Sequence, residues 1–196
     1  VLIHVVLWAV NRAKASAGST AVTPSTELFG FGKTKPADEP KFHDRHILMK
    51  ATNLASECSN DVVDIIHSTL SNPPKTADEW KARTHLLDKL RPKIDMIYLR
   101  TEDQNKTLSQ SGWSGADAAR NLKAVQDSFD SIDRNDDWVR TVIDELPKHI
   151  HDSHVLTAAK HFFYAASGIY MDLMGTMHVA LHELKHASDP ARALVG

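Results

Sequence analysis

Apolar residues recur every three or four positions along most of this chain, and that spacing predicts helices. Ile47, Ala51, Leu54, Cys58, Val62, Ile65, Ile66 and Thr69 make the inner stripe of a helix from about Asp44 to Leu70, ended by Asn72, Pro73 and Pro74. Thr76 reads as the next N-cap, with Glu79 three residues on completing a capping box. Trp80, Leu87, Leu90, Ile94, Ile97 and Tyr98 form the apolar face that follows. Pro92 inside it predicts a break near Leu90.

Residues 101–115 are polar and hold Gly112 and Gly115, so a loop is expected there. Beyond it, Leu122, Val125, Phe129 and Ile132 share one helical face, and Trp138, Val142 and Leu146 open a second. Asn135, Asp136 and Asp137 between the two mark an expected break, and Pro147 a stop. After a turn at residues 149–153, a last helix to about Ala187 carries Phe162, Ile169, Leu173, Met177, Leu181 and Leu184 inward. No period-two alternation appears. The pattern predicts an all-α antiparallel bundle of about five or six helices over residues 44–196.

Residues 1–43 differ. Residues 1–10 read VLIHVVLWAV, too short to span a bilayer, which takes about 20 apolar residues. Residues 16–42 are dense in Ser, Thr, Gly and Pro and read as a linker arm. The apolar run is expected to be a short helix or strand packed on the domain, or the end of an upstream segment.

At 196 residues with 42% hydrophobic and 24% charged, the chain has enough apolar mass for one domain. Its net charge of −2 contains no like-charge block, which argues against nonspecific nucleic-acid binding. The single cysteine, Cys58, lies in an apolar stripe, which favours a small buried hydrophobe and a reducing, cytoplasmic setting.

Twelve histidines raise the question of metal. His182 and His186 stand at i and i+4 with Glu183 between them, the spacing with which one helical face holds zinc while the glutamate serves as general base. Against this, Lys185 puts a cation between the ligands, and a catalytic zinc takes a third protein ligand. Asp189 is the only acid in the ten residues after His186, and His178 is about 12 Å away along the helix. His149, His151 and His154 beside Asp152 read as a solvated turn. Gly112-Trp113-Ser114-Gly115 between two amphipathic runs looks like the turn of WXG helical hairpins, secreted or assembly-forming proteins. Trp113 as the cover of a helix–helix loop is the plainer reading.

Spaced positions across residues 44–170 resemble the N-terminal helical domain of the cyclase-associated protein family. The matches are LASECSNDV at residues 54–62, then Leu90, Pro92 and Ile97 with Arg100 and Asn105 following. Leu122, Ala124, Val125, Asp127 and Ser128 lead on to Trp138-Val139, and Lys148, His149 and Ile150 precede Ala158, Ala159, Phe163 and Tyr164. Ser59-Asn60 replaces the family's Gly pair.

The resemblance implies a non-enzymatic interaction domain that engages actin or cofilin-decorated actin, with no cofactor and with Arg100, Glu102, Asn105 and Asp127 on its binding surface. Two alternatives remain. One is a zinc peptidase with His182 and His186 as ligands and Glu183 as base, the other a WXG-type hairpin. Self-association stays open.

Overall fold

The computed structural model describes residues 42–110 and 115–187, with side-chain detail for residues 51–102 and 121–182 and for Leu184 and Lys185. The described residues form five α-helices: α1 (Phe42–Ser71), α2 (Ala77–Asp88), α3 (Arg91–Gln110), α4 (Gly115–Glu145) and α5 (Ser153–Ala187). A 3-10 turn, Leu146–Lys148, follows α4. There is no strand among the described residues, and the all-α class holds. The apolar run, the arm and Trp113 lie outside the described residues.

The helices stack as four columns, because α2 and α3 follow one another down the same side of the molecule. Trp80 of α2 meets Phe162 of α5, and Arg91 at the start of α3 faces Asp172 one level further along α5. The two short helices therefore run parallel to α5. Pro92 explains why they are two: it sits in the first turn of α3, where its missing N–H has no helical partner to lose. The chain bridges the break with backbone bonds from Lys93 and Ile94 to the Leu90 carbonyl. Ser56 bonds Ser128 and Asn135 bonds Ser59, so α1 and α4 run the same way. The short connection after Glu145 returns α5 antiparallel to α4.

The caps are local. Thr76 Oγ1 accepts from the Glu79 N–H at 3.2 Å, and the Glu79 carboxylate accepts from the Thr76 N–H at 3.3 Å, a complete capping box on α2. Asp152 Oδ1 accepts from the N–H groups of His154 and Val155, both at 2.9 Å, and so caps α5. These bonds to the charged form, Val155 first, hold the Asp152 carboxyl below its ordinary range. The expected solvated turn occupies residues 149–152 and leads into this helix start, with His151 and His154 exposed.

The core is one cluster reaching from Ala55 on α1 to Leu184 on α5. At its α2 end Trp80 lies 5.5 Å from Phe162 and 6.0 Å from Phe163, and those two rings meet edge to face at 5.1 Å. A helix of twelve residues is marginal alone; this aromatic contact holds α2 to the bundle.

Four expectations are corrected. The loop at residues 101–115 is largely helix, since α3 continues to Gln110. Thr101 is buried and its hydroxyl bonds the Ile97 carbonyl, so a polar residue stays inside the helix without an orphaned group. Nor does α4 break at residues 135–137, where Asn135 and Asp136 both find partners on neighbouring helices. Trp138 is only half-buried, and Val139 takes the interior position. Tyr98, read as core, is 50% exposed.

Trp80→Ala is expected to cost about 3–5 kcal/mol, the usual loss for a fully buried aromatic, whereas Thr76→Ala costs about 1 kcal/mol. Urea unfolding followed by circular dichroism measures both. Similar losses at the two positions would mean that the aromatic contact does not anchor α2.

Candidate functional site

The outward face of α3 holds the strongest surface signal. Ile94, Ile97 and Thr101 turn inward, which leaves Met96, Tyr98 and Leu99 on the outside, with Leu99 59% exposed. Lys93 sits on the flank toward α1 and reaches Asp61 at 2.8 Å and Glu57 at 3.9 Å. Its bond to Asp61 raises the ammonium pKa. Arg100, two turns further on the same flank, is partly buried, and Glu102 is exposed and accepts from the Tyr98 hydroxyl at 3.3 Å. Arg100 and Glu102 thus flank an exposed apolar pair rather than a polar loop. Asn105 belongs to the same helix, with its side chain outside the described residues.

Asp127 is elsewhere. It lies exposed on α4, held by Lys123 one turn back at 2.9 Å. Both α3 and α4 pack against α1 and α5, so those two helices separate Asp127 from the α3 face. The four residues expected at one surface divide into three on α3 and one on another column.

A second polar group is internal, and the spacing of residues did not point to it. Asp136, 5% exposed on α4, accepts from the buried Ser167 hydroxyl of α5 at 2.5 Å and from Arg140 Nε at 2.7 Å. Arg140 extends outward, and its Nη2 reaches Met171 Sδ at 3.5 Å. Close by, Tyr170 is fully buried and its hydroxyl has no partner among the described residues. Burial first, and then the Asp136 charge, raise the Tyr170 pKa. Cys58 completes this region: burial pushes its thiol up to about 11, against a smaller opposing pull from Lys93. A buried thiol held protonated is a poor nucleophile, so Cys58 packs rather than reacts.

The paired histidines stand on a continuous helix, because α5 runs unbroken through Ala187. His182 is exposed, while the side chains of Glu183 and His186 lie outside the described residues. No group of three or more His, Cys, Asp or Glu able to hold a metal occurs among the described residues. No described helix is long and apolar enough to cross a membrane.

Fold and surface together define an all-α bundle whose successive columns run antiparallel, with a packed, partly polar interior and exposed apolar side chains on two of its helices. No family model, curated protein or solved structure matches the chain.

The Cys58 shift has a pH consequence. The unfolded thiol ionises near 9.0 and the folded one near 11, so the folded state keeps a proton that the unfolded state has lost. This stabilisation is whole below pH 9 and falls away as pH rises to 11. Urea midpoints are expected to decline over that window, and less steeply in Cys58→Ala. An identical pH slope in the two proteins would remove Cys58 as the cause.

Proposed function

We propose that this chain is a non-enzymatic protein-interaction bundle of the kind found at the N-terminus of cyclase-associated proteins, and that its partner is actin or cofilin-decorated actin. The observation that carries the reading is the outward face of α3. Met96, Tyr98 and Leu99 are exposed there, beside Arg100 and Glu102. Interfaces concentrate aromatic residues, Met and Arg, and a few such side chains supply most of the binding energy. Arg100 and Asn105 are also positions at which the chain resembles that family. Asp127 resembles it as well but stands on another column, so it contributes less to this surface. The lone buried cysteine fits a cytoplasmic setting.

Leu99→Glu and Arg100→Glu are each expected to weaken binding to cofilin-decorated filaments at least about tenfold, or ~1.4 kcal/mol. The loss at Arg100 should shrink as salt rises, since exposed interfacial charges are screened. Asp127→Lys should cost less than either. Co-sedimentation with filaments measures all three. Unchanged binding in both α3 variants would end the proposal. If the chain instead purifies with one zinc, lost on His182→Ala, the peptidase reading replaces it.

A further inference from the structure

Among the described residues, large apolar side chains are exposed on α3 and again on α5. On α5, Tyr164 is 58% exposed and Met171 54%. They stand two turns apart on one side of the helix. Gly168 lies between them, and a Cβ added there would meet nothing within 4 Å. The two side chains therefore bracket an open place about one turn from each. No Lys or Arg occurs from Tyr164 to Val179.

Helix α4 borders this strip. The Arg140 guanidinium reaches Met171 at 3.5 Å, so the stripe of α4 that runs through residue 140 lies along the outer side of α5. Asp133, Asp137 and Asp144 fall on that stripe, at helical spacings of four, three and four through Arg140. All three are exposed, and none forms an ion pair among the described residues. Arg140 does not offset them, because Asp136 already holds it at 2.7 Å. Helices α4 and α5 are antiparallel with Asp136 beside Ser167, which sets Asp137 and Asp133 against the stretch from Tyr164 to Met171.

We propose that this side of the bundle, Tyr164 and Met171 with the carboxylates of Asp133 and Asp137 beside them, docks a basic amphipathic helix of another protein. Interfaces concentrate aromatic residues and Met, and a few such side chains supply most of the binding energy. Two packed helices leave a groove, and a helix laid into it presents its anchors at i, i+3, i+4 and i+7. A bulky apolar side chain of the incoming helix sits over Gly168, and Lys or Arg on its flank meets the row of carboxylates on α4. Charge selects among the occupants. A second copy would bring the same unpaired carboxylates to this face, as would an acidic helix, and like charges across an interface repel. The site is separate from the α3 surface. Asp172, roughly 100° round α5 from Met171, faces α3 through Arg91 at 4.0 Å.

Fluorescence anisotropy with two synthetic helical peptides tests the proposal. One carries a face of Leu at helical spacing with Lys on both flanks, and the other has the same Leu face with Glu on the flanks. The full chain is expected to bind the Lys peptide at least about tenfold more tightly, by a margin that shrinks as salt rises. Asp133→Lys should weaken the Lys peptide at least about fivefold. Asp127→Lys makes the same charge change roughly 120° round α4 and should leave binding within about twofold. Tyr164→Ala combined with Met171→Ala should cost at least about tenfold, and Leu99→Glu on α3 should change nothing. Circular dichroism checks that each variant is folded. Equal affinity for the two peptides, or no saturable binding of the Lys peptide up to about 1 mM, would overturn the proposal. So would a loss at Asp127→Lys or Leu99→Glu as large as at Asp133→Lys, since binding would then follow net charge or lie on another face. A dimer in sedimentation that the double variant abolishes and the Lys peptide leaves intact would assign the face to a second copy instead.

Discussion

Burial of the inner stripe of α5 is the constraint that the rest of the bundle depends on. Phe162, Phe163, Ile169, Leu173, Met177 and Leu184 are all buried, and all four other helices pack against α5. Helix α2 is too short to persist alone and is held by Trp80 on the two phenylalanines. The break at Pro92 lets α2 and α3 together cover a helix of 35 residues that neither could cover alone. The capping box at Thr76 and the carboxylate of Asp152 then fix where two of the columns begin.

Packing alone does not set the register of such columns, because apolar side chains slide past one another at modest cost. The buried polar bonds do. Ser56 with Ser128 and Ser59 with Asn135 tie α1 to α4, and Asp136 with Ser167 ties α4 to α5. A slip of one turn is ~5.4 Å and separates each pair. It would take the Ser167 hydroxyl from the buried Asp136 carboxylate and leave it with only the Arg140 pair of its own helix. The same residues keep α4 continuous where three polar positions in a row suggested a break.

The surface carries the second half of the picture. A bundle of this size can hide its large side chains, yet α3 and α5 each leave three of them outside. On α3 they accompany charged groups and suit an external protein partner. On α5 they accompany two glycines, and the Arg140 guanidinium reaches Met171. The two faces differ in chemistry.

Periodicity by itself determined the all-α class, the break at Pro92, the box at Thr76, the stop before Pro147 and the inner stripe of α5. Each of these rests on a backbone rule or on the 3.6-residue repeat, which acts within one helix. What only the tertiary structure decided were the matters that depend on a neighbour. Thr101 and Asn135 read as loop or breaker residues, but their polar groups are satisfied inside the helix or across it. Tyr98 sat at apolar spacing, yet the neighbouring columns close over Ile97 instead, and Trp138 packs on the core with only part of its surface while Val139 is fully enclosed. Asp127 was grouped with Arg100 because both match one family pattern, and the packing of α1 and α5 sets them on separate columns. Asp136 read as part of a helix break, since an aspartate in a polar run reads as solvated until a serine 31 residues away donates to it.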